Sequence, residues 1–351
     1  MNAPAAIQID GRAIGPGHPP YVIAEISGNH NGDIEHAIRI MRAAKTAGAD
    51  AVKLQTYTAD TITIDHDSPE FTIEGGLWGG RTLHKLYDEA HTPWDWHPRL
   101  FETGRELGIT VFSSPFDTTA VDFLESLNAP AYKVASFEVV DLPLITRMAA
   151  TGKPLIISTG MANLTEIQEA VATARKAGCD QLVVLHCTSG YPTPPEESNL
   201  HTMTNLADQL GCLPGLSDHT LGTAVAVAAV ALGATVIEKH FTVRRADGGP
   251  DAAFSLEPEE LSELVKGCAT AWKALGSISY TRTSSEEGNV QFRRSLYVVA
   301  NMAAGEIFDD SNLRSIRPGY GLPPKRLPEI LGRPATRALK RGEALTEDMI
   351  G

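Results

Sequence analysis

Short apolar runs alternate with longer stretches of helical period along most of the chain. Residues 21–26 read as a strand of the kind buried on both faces, with one acid, Glu25, inside it. Residues 34–47 have helical spacing, with Asp33 placed to cap the start and Gly48 to end it. The next strand, 51–57, puts Lys53 and Gln55 on one face. A long excursion over residues 58–98, rich in Asp, Gly, Trp and His, reads as a loop, and loops of that length in a compact domain are usually functional. From Ile109 the alternation is regular. Strands at 109–115, 131–136, 154–160, 182–188, 215–219 and 235–242 precede helices at 118–127, 142–150, 165–177, 200–210, 224–232 and 257–275, the last started by Ser255 or Pro258.

Eight strand units over about 275 residues are the size and rhythm of a (β/α)8 TIM barrel, an α/β fold. A doubly wound open sheet competes with it. Polar residues at the end of nearly every strand favour the barrel, where all those ends face one mouth. The texture changes after Leu275. Residues 1–275 are expected to form the barrel, 276–290 a linker rich in Ser and Thr, and 291–351 a small β domain. That last stretch echoes itself: Ala304-Gly-Glu-Ile-Phe-Asp-Asp-Ser-Asn-Leu313 resembles Arg341-Gly-Glu-Ala-Leu-Thr-Glu-Asp-Met-Ile350, which predicts a pseudo-symmetric pair of turn-and-strand units.

The strand ends carry the candidate chemistry. Residues 235–242 open apolar and then present Glu238 and His240 on one face, while 215–219 end on His219. If these are adjacent parallel strands, the two imidazoles converge beside Glu238 and can hold a divalent metal with open positions. Lys53, Lys133, Ser114, Ser136, Ser158 and Ser217 form a set suited to phosphate and carboxylate. Glu25, Glu138 and Glu238 with the histidines suit proton transfer. Plainer roles compete: a serine capping the next helix, or Glu138 paired structurally with Lys133.

A formal charge of −13 argues against nucleic acid or an anionic membrane as partner. A few lysines gathered in a cleft still allow an anionic substrate. The four cysteines, with no C-x-x-C spacing, read as reduced thiols. Residues 1–17 hold no apolar signal core and no run approaches a membrane span, so a cytoplasmic location is expected.

With these residues in place, the chain resembles the sialic acid synthase family, enzymes that condense phosphoenolpyruvate with an amino sugar. The matching runs include Gly48-Ala-Asp-Ala-Val-Lys-Leu-Gln, Phe112-Ser-Ser-Pro-Phe, Tyr132-Lys-Val-Ala-Ser-Phe-Glu, Gly215-Leu-Ser-Asp-His and Ile237-Glu-Lys-His-Phe, spread over essentially the whole chain. Arg317-Pro-Gly-Tyr-Gly is similar to the antifreeze-like (SAF, β-clip) domain these enzymes carry. Gly75-Gly-Leu-Trp-Gly-Gly and Tyr87-Asp-Glu-Ala-His-Thr-Pro-Trp resemble the pseudaminic branch of the family. The resemblance implies a Mn²⁺-type ion on His219 and His240, with Mg²⁺ or Co²⁺ as alternatives. It implies phosphoenolpyruvate on Lys53, Ser114, Lys133, Ser136, Ser158 and Ser217, and the sugar facing Gln55, Tyr191, Glu238 and Asp251. Where N-acetylneuraminate synthases carry an Asn and a His, this chain has Ser189 and Ala252, which suits the pseudaminic branch and its 2,4-diacetamido-2,4,6-trideoxy hexose.

By the same resemblance, phosphate leaves by C–O cleavage with Glu25 as base, and the chain forms a domain-swapped homodimer in which Arg317 reaches a partner's barrel mouth. Three alternatives stay open: an N-acetylneuraminate or legionaminate synthase, a metal-dependent barrel aldolase or hydrolase that does not use phosphoenolpyruvate, and a binding protein, since the C-terminal part resembles an ice-binding fold.

Overall fold

The computed structural model describes residues 4–351, which form two compact units dividing between Gly276 and Ser277. The first opens with an antiparallel hairpin, β1 (Ile7–Ile9) and β2 (Arg12–Ile14). Asp10 and Gly11 both sit at positive φ in its turn, which an Asp-Gly pair tolerates well. There follow β3 (Tyr21–Glu25), α1 (Ile34–Ala47), β4 (Ala51–Thr56), α2 (Ala59–Ile62), α3 (Leu83–Ala90), α4 (His97–Leu107) and β5 (Thr110–Pro115). Next come α5 (Thr118–Ser126), β6 (Tyr132–Val134), α6 (Leu142–Ala149), β7 (Leu155–Ser158), α7 (Leu164–Lys176) and β8 (Leu182–Cys187). The unit ends with α8 (His201–Leu210), β9 (Leu213–Asp218), α9 (Ala224–Ala231), β10 (Val236–His240) and α10 (Pro258–Leu275).

Among the described residues, β3 to β10 pair in sequence order, all parallel, and β10 closes onto β3. That closure confirms the barrel and rules out the doubly wound sheet. Side chains inside the barrel change character along each strand. At the amino-terminal ends they are apolar: Tyr21, Ile23, Ala51, Phe112, Ile156 and Val236 pack with Ile7, Ile9 and Ile14 of the hairpin, which stops that end. At the carboxyl ends they are polar, and β10 makes the change within three residues, from Val236 to Glu238.

The helices follow the caps written in the sequence. Asp33 accepts a hydrogen bond from Glu35 N, and Gly48 ends α1 at φ 97°. Helix α10 starts at Pro258, one of the two expected starts, with Glu257 rather than Ser255 at its cap position and Glu260 accepting from Glu257 N at 2.8 Å. The 58–98 excursion, read as a loop, instead contains α2 and α3, which pack on each other, and α4 follows it as the helix of the second barrel unit, against α1 and β5.

In the second unit, α11 (Ser284–Glu287) falls within the stretch read as a linker. Strand β11 (Ser295–Val298) pairs antiparallel with β12 (Leu313–Ile316), and α12 (Leu327–Ile330) follows. The sequence echo has a physical counterpart. Glu306 accepts from Ala303 N at 2.8 Å and Glu343 from Lys340 N at 2.7 Å, in turns that place Gly305 and Gly342 at positive φ. Each turn leads to a fully buried residue, Phe308 and Leu345, in one small core.

Candidate active site

The polar ends of the barrel strands enclose a cavity of about 550 Å³. Its floor is a charge cluster drawn from four strands. Lys53 on β4 stands with Nζ 2.8 Å from Glu238 Oε1 of β10 and 3.2 Å from Glu25 Oε2 of β3. Lys133 on β6 lies 3.5 Å from the same Glu238 oxygen. Gln55 Nε2 donates to Glu25 Oε1 at 2.9 Å, and Ser217 Oγ to Glu238 Oε1 at 3.3 Å. All of these groups except Gln55 are buried.

Burial and neighbours then pull the ionisations apart. Burial pushes Glu25 up to about 7, only partly opposed by Lys53. Burial would also raise Glu238, but Lys133 and Lys53 overcome it and hold that carboxylate ionised. Lys53 stays protonated against its burial because two carboxylates face it. Lys133, shielded by less negative charge, is pushed down by burial to about 8. Such divergence within one cleft is characteristic of sites that hold and move protons.

The two histidines also meet. The rings of His219 and His240 are 5.3 Å apart between centroids, with Tyr191 4.5 Å from His219. His219 Nδ1 donates to Thr188 O at 3.0 Å, which in the neutral ring leaves the Nε2 lone pair open to a metal. Among the described residues His240 Nδ1 has no hydrogen-bond partner, although Asp251 Oδ2 lies 3.8 Å away. Burial, then the neighbouring His219, lower the His240 pKa well below the ordinary value, keeping it neutral. The His219 pKa is raised instead, because burial, which lowers it, is outweighed by the Cys187 thiol and the Thr188 carbonyl. In their neutral forms two imidazoles suit a divalent ion. Among the described residues no group of three or more His, Cys, Asp or Glu side chains is gathered to hold one, so such an ion would take its remaining donors from elsewhere. Asp251 accepts a hydrogen bond from Ser27, and burial raises its pKa.

Thirteen of the sixteen residues expected from the sequence line this cavity: Glu25, Lys53, Gln55, Lys133, Ser136, Glu138, Ser158, Tyr191, Ser217, His219, Glu238, His240 and Asp251. Glu138 is not paired with Lys133; its Oε2 finds no partner among the described residues, and burial raises it to about 7. Three residues lie outside the lining. Ser114 is buried opposite Gln55, with its Oγ unpartnered among the described residues. Ser189 lines a neighbouring hollow, reached past Gly160, where any Cβ would collide with the hydroxyls of Ser189 and Ser136. Arg317 is exposed on the second unit.

The upper wall was not foreseen residue by residue. Ile62, Ile73, Trp78, Leu83, Leu86 and Tyr87, all from the 58–98 excursion, make it largely apolar. Trp78 is fixed by a 3.0 Å hydrogen bond from Nε1 to Pro250 O. The tryptophan inside a glycine-flanked motif was the available signal. A larger hollow, about 1060 Å³, lies at the opposite end of the barrel, where Arg12 is already paired with Asp50. None of the strand-end chemistry reaches it.

Comparison with known proteins agrees with the resemblance read from the motifs. A model described as the NeuB family matches residues 40–280, and one described as the SAF domain matches 293–351. The chain is 41% identical to a pseudaminic acid synthase of Helicobacter pylori over 95% of this chain and 98% of that one. It is 37% identical to an N,N'-diacetyllegionaminic acid synthase of Campylobacter jejuni, over 93% of this chain and 98% of the other. Among solved structures it is similar to the spore coat polysaccharide biosynthesis protein SpsE of Bacillus subtilis, with a TM-score of 0.68, 32% identity and 99% of each chain covered.

Proposed function

The chain belongs to the NeuB family, and from that membership we propose that it catalyses the reaction of a pseudaminic acid synthase: phosphoenolpyruvate condenses with 2,4-diacetamido-2,4,6-trideoxy-altrose and water to give pseudaminic acid and inorganic phosphate. One observation carries the reading beyond likeness. Among the described residues, Ser114 Oγ, Glu138 Oε2, Ser158 Oγ, Glu238 Oε2 and His240 Nδ1 are all buried without hydrogen-bond partners at the carboxyl ends of the barrel strands. Each such atom costs about 1–3 kcal/mol. The two hydroxyls beside the two ammonium groups can receive a small anion, and the carboxylate oxygens and the imidazole nitrogen can take hydroxyl donors or a cation, which together describe a site for one anionic and one hydroxyl-rich ligand.

In this reading Lys53 and Lys133 neutralise the phosphate and carboxylate of phosphoenolpyruvate, and Ser114, Ser136, Ser158, Ser189 and Ser217 donate to its oxygens. Gln55, Tyr191, Glu238 and Asp251 face the sugar. His219 and His240 would hold a divalent ion, Mn²⁺ before Mg²⁺ or Co²⁺, which supplies Lewis acidity at the sugar aldehyde oxygen. C3 of phosphoenolpyruvate bonds to the aldehyde carbon, leaving positive charge at C2. Water adds to C2 and gives its proton to Glu25, whose raised pKa suits a base at neutral pH. The adduct then collapses to the ketone with cleavage of the C2–O bond to phosphorus. Glu138, raised like Glu25, would give the aldehyde oxygen its proton as the C–C bond forms, and the hydroxyl proton lost on collapse leaves with the phosphate.

The protein would act as a transferase in the cytoplasm, where all four cysteines, unpaired among the described residues, remain reduced. No helix among the described residues is long and apolar enough to cross a membrane. Its SAF domain would complete a partner's site in a domain-swapped homodimer, with Arg317 as the reaching cation. Phosphate release from phosphoenolpyruvate, followed with three hexosamines side by side and with or without chelator, tests the reading. Turnover is expected with the diacetamido-trideoxy altrose and not with N-acetylmannosamine. Preference for the legionaminate precursor would move the chain to that branch, and no phosphate release with any sugar would favour an aldolase or hydrolase.

A further inference from the structure

Behind the two histidines, on the helix side of the barrel wall, lies a second pair of charges. Lys239 precedes His240 on β10 and Asp218 precedes His219 at the end of β9, and the two residues are directly opposite in the parallel register. Alternation along the strands turns both away from the cavity, toward α10. Lys239 Nζ donates to Asp218 Oδ2 at 2.7 Å and to Thr220 O at 2.6 Å. Asp218 Oδ1 in turn accepts from Thr220 N at 2.9 Å. Both charged side chains are 1% exposed.

One ammonium group therefore holds the chain on both sides of His219, at Asp218 and at Thr220, and is itself anchored one residue before His240. A buried ion pair of this kind is weak evidence for stability, because an apolar pair of similar volume is often as stable or more so. What an apolar pair cannot do is fix the backbone carbonyl after His219 relative to β10. Imidazole ligands depend on such supporting contacts for their orientation. We propose that Lys239 and Asp218 are positioning residues that hold His219 and His240 in register for a divalent ion. The proposal rests on the reading of those histidines as the metal pair.

The test uses the full-length chain. Mn²⁺ binding is titrated calorimetrically for the parent, for Lys239→Met, and for the double variant Asp218→Leu with Lys239→Met, and unfolding by denaturant is measured in parallel. Lys239→Met strands a buried carboxylate and is expected to lose stability. The double variant removes both charges and is expected to recover most of that stability, yet to bind Mn²⁺ about 10–100-fold more weakly than the parent. A double variant with the parent's Mn²⁺ affinity overturns the proposal, since the pair then serves packing alone. A parent that takes up no Mn²⁺ removes the metal reading as well, and leaves phosphate release from phosphoenolpyruvate as an independent check on the condensation itself.

Discussion

Lys53 and Glu238 form a 2.8 Å ion pair across the floor of the barrel mouth, joining β4 to β10 past the intervening β3. Both side chains are almost wholly buried, so neither charge has water to fall back on. Lys53→Met leaves Glu238 and Glu25 with one ammonium group between them. The expected cost is about 3–5 kcal/mol of stability, as for other broken buried pairs, together with loss of turnover. Denaturant unfolding and phosphate release measure the two effects. A variant as stable as the parent would mean that the carboxylates are not held by this lysine.

The same cluster sets a pH dependence. Glu25, raised by burial, is protonated below about 7 and cannot accept a proton there. Lys133, lowered by burial, loses its charge above about 8 and with it the hold on an anion. The profile of kcat/KM should therefore rise through about 7 and fall beyond about 8, a narrow bell reporting the free enzyme. Lys133→Arg should carry the falling limb to higher pH, and Glu25→Gln should lose turnover while still binding phosphoenolpyruvate. Unchanged turnover in Glu25→Gln would take that residue out of the base role.

Selectivity should reside in the apolar upper wall. The side chains of Ile62, Ile73, Leu83 and Leu86 cannot hydrogen-bond a hydroxymethyl group, but an apolar wall rejects an added hydroxyl only weakly, by about 10²-fold. Ile73→Asn should narrow the preference between a 6-deoxy sugar and its 6-hydroxy counterpart, measured as the ratio of their kcat/KM values. A ratio equal to the parent's would place the discrimination elsewhere in the cavity.

Much of this was legible in the sequence because strand ends and helix caps are local signals. The change from Val236 to Glu238 and His240 marked the mouth, and Asp33 and Gly48 marked α1 to the residue. What escaped had weaker or competing signals. The hairpin β1–β2 has strands of three residues, and only its Asp10-Gly11 turn announced it. Helix α4, for which no helix was expected, begins amid Trp94, Trp96 and Pro98 at the end of the excursion, although a proline at a helix start is favourable. The apolar wall depends on how α2 and α3 fold back over the mouth, which no periodicity encodes. The Lys239–Asp218 pair escaped for a different reason: its residues alternate with the histidines, and attention to the inward face passes over the outward one.

The most direct measurement of the central claim is the fate of oxygen during turnover in water enriched in heavy oxygen, read from the phosphorus resonance of the released phosphate. Cleavage of the C2–O bond predicts phosphate that carries no label, with the new oxygen on the keto acid. Labelled phosphate would mean attack at phosphorus, and would contradict the account of what the two lysines and Glu25 do at the barrel mouth.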